Sequence, residues 1–136
     1  MKLQSILLCL FPMVFLASFK NGKVGAPRAV KIEIFDFTEV ALTPVNIPCE
    51  NFEGFERTRK RTILDSTKLD KIIRTLTNGK PAPSFSINTR GKMFIYYDEG
   101  SVDTACFSFG NRFILNGLVK ELPFKDLNSF LKYALE

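Results

Sequence analysis

The sequence predicts an α+β domain: an antiparallel sheet built around a β-meander over residues 92–122, with two amphipathic helices, about 66–78 and 124–135, packed on it. Three observations carry this reading. Between 92 and 122, runs of strand-forming residues follow one another with only short turn sequences between them. Two other stretches set apolar residues at helical spacing: Leu69, Ile72, Ile73 and Leu76 in one, Leu127, Phe130, Leu131 and Ala134 in the other. Finally, fourteen phenylalanines against no tryptophan describe a core filled by rings with few polar handles.

In chain order, residues 1–18 come first. Lys2 precedes an apolar run from Leu3 to Ala17, and small and basic residues follow. That is the layout of a secretory signal peptide. The run is shorter than the roughly 20 apolar residues a membrane-spanning helix needs. Cleavage is therefore expected, with no membrane span afterwards; the alternative is an anchor through uncleaved residues 3–17. Lys20, Lys23, Arg28 and Lys31 favour that alternative, since positive charge after the run opposes translocation. Residues 19–29, with Gly22, Gly25 and Pro27, read as a flexible leader, and 30–136 as a single domain.

The domain opens with an Ile- and Phe-rich strand at 30–37. An irregular extended segment at 40–47, broken by Pro44, follows, then a loop at 50–56 carrying Phe52 and Phe55 around Gly54. A strand is expected at 58–64. Asp65 and Ser66 offer N-caps for the first helix. Asn78-Gly79 ends it with a left-handed glycine, and Pro81 and Pro83 prevent continuation.

Residues 92–97 are apolar on both alternating sets, as in a central strand covered on both faces. A turn at 98–101 leads to a strand at 102–109, with Ala105, Phe107 and Phe109 on one face and Val102, Thr104 and Cys106 on the other. Gly110-Asn111 turns the chain into 112–115, and Asn116-Gly117 is a strong hairpin signal before 118–122. Pro123 then starts the last helix, where its missing N–H costs nothing.

The chain contains no histidine. That excludes Ser-His-Asp and Cys-His catalysis and histidine-bound zinc. No glycine loop suited to phosphate is present, and no cofactor is implied. Carboxylate or Lys/Tyr chemistry stays open, but no catalytic residue is assigned. Asp98, Glu99 and Asp103 crowd one hairpin without the spacing of a calcium loop, so a solvated turn is the plainer reading and no metal site is assigned.

Cys9 would leave with the signal. Cys49 and Cys106 would then form one disulfide in an oxidising compartment, two buried thiols being the alternative. Arg57, Arg59 and Arg61 alternate along the 58–64 strand and its approach, so they share a face. Such a stripe suits carboxylate, phosphate or sulfate groups. Its partner would be an anionic surface or another extracytoplasmic protein. A charged edge that discourages strand pairing is the plainer explanation. The lack of aromatics at stacking spacing argues against nucleic acid. Phe52 and Phe55 are a second candidate, either as rings offered to a partner or as a plug on the core.

The expectation is a small secreted or periplasmic domain that binds and does not catalyse. The alternatives are a carboxylate- or Lys/Tyr-based enzyme and a structural or accessory subunit of a cell-envelope assembly.

Overall fold

Strand β1 (Ala29–Phe37) is paired on both sides, and the rest of the sheet is assembled around it. On one side lies β2 (Thr58–Ile63); on the other lies β4 (Gly91–Tyr97). β5 (Val102–Phe107), β6 (Arg112–Leu115) and β7 (Leu118–Glu121) continue from β4 as a meander, and a two-residue β3 (Lys80–Pro81) closes the far edge. The order is β2-β1-β4-β5-β6-β7-β3, and every pairing is antiparallel. Two α-helices, α1 (Ser66–Thr77) and α2 (Leu127–Leu135), and a 3-10 helix at Cys49–Gly54 complete the fold. The computed structural model describes residues 26–37, 46–55 and 58–136. The signal peptide, most of the leader and most of the segment expected at 40–47 lie outside them.

The α+β architecture and the meander are as the sequence predicts. At the β6–β7 turn Asn116 and Gly117 adopt φ of 48° and 82°, the backbone a two-residue hairpin needs. Several boundaries differ for local reasons. α2 begins at Leu127, because the Asp126 carboxylate accepts a 2.8 Å hydrogen bond from the Ser129 N–H and caps the helix there, three residues after Pro123. β5 stops at Phe107, whose carbonyl accepts from the Arg90 N–H at 2.7 Å. Phe109 falls beyond it and is exposed, off the face the alternation assigned.

Gly79 is not the left-handed cap expected of it, since it is not among the glycines with positive φ. Its small size is what the fold uses. A Cβ there would lie 3.1 Å from the Glu121 carbonyl, the Leu76 carbonyl and the Phe113 ring. β3 was not expected at all. It is a minimal edge strand, where proline is tolerated.

Alternation sorts the sheet into two unlike faces. Ile32, Ile34, Ile63, Met93, Ile95, Ala105, Phe107, Phe113 and Leu115 point one way. They form one cluster with Leu69, Ile72 and Leu76 of α1 and Leu127, Phe130, Leu131 and Ala134 of α2. Phe107 is the hinge of its packing, stacked on Phe113 at 5.6 Å and on Phe130 at 5.3 Å.

The opposite face carries Phe35, Phe94 and Tyr96, all half-buried, so the central strand β4 is fully covered on one side only. A lysine ammonium lies over each ring: Lys31 over Tyr96, Lys60 over Phe35 and Lys92 over Phe94. At one end of this face a Cys49–Cys106 disulfide joins the 3-10 helix to β5, with Cα atoms 5.9 Å apart. The buried Lys92 ammonium reaches the same helix through Glu53 at 2.6 Å and the Glu50 carbonyl at 3.4 Å. No helix among the described residues is long and apolar enough to cross a membrane.

Candidate functional site

The arginines are placed by the β1–β2 register. Arg59 stands directly opposite Asp36, and Arg61 opposite Ile34. Arg61 is therefore a diagonal neighbour of Asp36 on the same face. Both guanidinium groups converge on this one carboxylate. Arg59 donates from Nε and Nη2 to its two oxygens at 3.0 and 3.1 Å, a bidentate pair. Arg61 donates from Nη2 to the Oδ2 oxygen. Asp36 is buried, whereas Arg59 and Arg61 keep 47% and 31% of their side-chain surface exposed. The Asp36 carboxylate raises the pKa of Arg59 further above its ordinary value, mainly through these hydrogen bonds.

α2 completes the site. With Asp36, Arg59 and Arg61 as one wall, Leu131, Lys132 and Leu135 form the other, around an open pocket of about 290 Å³ that Asn128 and Glu136 also line. Three cations therefore meet two carboxylates there, beside an apolar strip. The Arg61 Nε is buried with no hydrogen-bond acceptor among the described residues. Asp36 thus leaves that buried donor unused, while the exposed surface of Arg59 and Arg61 is what the pocket offers to a second anion.

A related arrangement occupies the other face. Glu33 accepts from the Lys31 ammonium at 2.9 Å, pairs with Lys60 at 2.8 Å, and accepts from the Tyr96 hydroxyl at 2.9 Å. Lys60, then Lys31, hold its carboxyl down from 4.5 to about 2. Burial and the Glu33 hydrogen bond push the Tyr96 hydroxyl up. β1 therefore carries a buried acid on each face, each bridging two cations.

Among the candidates read from the sequence, the structure joins Arg59 and Arg61 and sets Phe52 apart from them. Phe52 is fully buried in the 3-10 helix. That helix packs over Lys92 and Cys106, on the sheet face opposite the arginines. Phe55 caps the same helix and is half-buried. Arg57 lies outside the described residues. Cys49 and Cys106 are bonded to each other. The contributions of Asp36 and α2 were missed. The available signal was charge complementarity: a strand carrying Glu33 and Asp36 beside one carrying Arg59, Lys60 and Arg61.

A second cleft, of about 410 Å³, lies between the start of β1 and α1, lined by Arg28, Asp70, Ile73, Arg74 and Tyr97 among others. The Tyr97 hydroxyl donates to Asp103 at 2.8 Å, and burial, with that bond, pushes its pKa up. Tyr97 is therefore held protonated, as a donor and not as a base. Asp103 also accepts from the Asn116 amide at 2.7 Å, so each of its oxygens already has a hydrogen-bond donor.

No protein-family model matches this chain, and neither a characterised protein nor a solved structure shows significant similarity to it.

Proposed function

We propose that this chain is an exported, disulfide-bonded domain that works by binding, and that the arginine corner formed by β2 and α2 is its site. The ligand group is a single anion of carboxylate, phosphate or sulfate type. The carrying observation is the convergence of Arg59 and Arg61 on one buried carboxylate at the wall of an open pocket. Asp36 orients the two guanidinium groups, so their remaining donors are positioned before a ligand arrives. Pre-ordering of this kind lowers the entropy cost of binding. Leu131 and Leu135 suit a ligand whose anionic group sits beside an apolar portion.

Export rests on the apolar start of the chain and on the disulfide, which persists in oxidising compartments. Intact mass of protein recovered outside the cytoplasm tests it. The expected result is a chain beginning near Phe19 and inert to thiol alkylation. A full-length chain with reactive thiols overturns it.

For the site, the test is a titration of ¹⁵N-labelled protein with acetate and with inorganic phosphate. The Nε signals of Arg59 and Arg61 should shift saturably, while that of Arg112, paired with Glu121 on β6 and β7, stays still. Parallel, unsaturable shifts at all arginines would overturn the reading.

A further inference from the structure

The two edges of the sheet differ in a way that identifies a partner. β3 ends one edge with two residues, and its Pro81 has no N–H to offer. β2 ends the other with six residues, paired to β1 in a single register without a bulge, and no described strand lies beyond it. An edge strand of that length presents, on its outer side, a row of N–H and C=O groups that a guest strand can complete. Shortness, proline and bulges, the usual protections, are all missing from β2. Among the described residues its protection is charge, as Arg59, Lys60 and Arg61 in succession.

That protection depends on sign. A second copy of β2 would set cation against cation on both faces, which is repulsive. An acidic strand would meet attraction at the same three positions. Arg59 and Arg61 point to the helix-covered face and Lys60 to the other, where it is half-exposed. In a guest strand, side chains two apart on one face are spaced by the same pleat repeat as Arg59 and Arg61.

We infer that β2 receives an extended acidic segment of a partner protein by strand addition. Carboxylates at guest positions i and i+2 reach Arg59 and Arg61, and a carboxylate at the residue between them reaches Lys60. This rests on the arginine corner being an anion site and adds the class of ligand: a peptide strand whose backbone, as well as its charge, is recognised. The pocket strip of Leu131 and Leu135 lies beside the same arginines and accommodates an apolar guest side chain.

The test alters the peptide and leaves the protein untouched, so misfolding cannot imitate a result. Oxidised full-length protein is titrated with the blocked peptide acetyl-Val-Glu-Val-Glu-Val-Glu-amide. Three controls accompany it: the same peptide with Gln for Glu, the same peptide N-methylated at alternate residues in each of the two phases, and acetate. The expected result is saturable binding, with new hydrogen-exchange protection at amides of β2. Replacing Glu by Gln, or N-methylation in one phase, should each weaken binding by roughly tenfold or more.

If N-methylation weakens binding in neither of the two phases while acetate and the peptide both shift Arg59 and Arg61, the anion site stands and strand addition is wrong. If neither acetate nor the peptide binds, both readings fail. If the protein alone forms a concentration-dependent dimer that protects the β2 amides, the edge serves a second copy of this chain and the inference is overturned.

Discussion

A carboxylate in an interior strand destabilises a fold unless cations meet it, and β1 carries two. Asp36 is the more critical, since Arg59 and Arg61 both lean on it from β2. Asp36→Asn removes the shared anion and leaves two partly covered guanidinium groups facing each other. The expected loss is about 2–3 kcal/mol, measured as a shift in urea midpoint at pH 7, smaller than for a fully buried pair because both arginines still touch water. Glu33 gives a pH signature. Its pKa is depressed from 4.5 to about 2, so its stabilising contribution is present above the unfolded value and is lost as pH falls from about 4.5 toward 2. Its size is on the order of 1–3 kcal/mol, given that Lys31 and Lys60 remain partly exposed. In Glu33→Gln that part of the acid slope should be absent. An unchanged slope between pH 4.5 and pH 2 would show that Glu33 is not the responsible group.

The 3-10 helix Cys49–Gly54 is held to the sheet by two ties of different chemistry, a disulfide to β5 and an ion pair to β4. Replacing both Cys49 and Cys106 by serine should lower stability by about 3–4 kcal/mol, by the loop-closure argument for a separation of 57 residues. The ion pair is asymmetric: Lys92 is buried, whereas Glu53 keeps about a third of its side chain exposed. Glu53→Ala strands a buried ammonium and should cost about 2–3 kcal/mol, whereas Lys92→Met removes the charge along with the need for a partner and should cost less. Equal losses in the two variants would show that burial of Lys92 is not what sets the cost.

This element also marks where the sequence stops being legible. The Asn116-Gly117 hairpin and the apolar face of α1 are written in residues a few positions apart, so local periodicity finds them. The same is true of the shared face of Arg59 and Arg61. What they touch is not local: Asp36 lies 23 and 25 positions earlier in the chain, and the pocket wall on α2 comes from the other end of the domain. Phe52 reads from the loop sequence either as a ring offered to a partner or as a plug on the core, and the plug is what the structure shows, in a helix tied to β5 by a bond that spans 57 positions.

Across the whole molecule, a single apolar cluster joins both helices to the sheet. Phe130 stacks on Phe107 and packs at 5.8 Å against Phe124. Phe130→Ala should cost about 3–5 kcal/mol, read from thermal or urea unfolding, because the two neighbouring rings and the surrounding core collapse only partly into the space. A loss below 1 kcal/mol would mean that α2 repacks. The chain order has a further consequence, in time. β1 can pair with β2 early, but its other neighbour, β4, begins about fifty residues later. At 5–20 residues per second that interval is roughly 3–10 s of synthesis. Throughout it Ile32 and Ile34 lack their β4 partners. Lys31, Glu33 and Asp36 then act as gatekeepers, since charges within an apolar strand discourage pairing with a foreign chain. The buried acids of β1 thus guard the unfinished domain before they are neutralised inside the finished one.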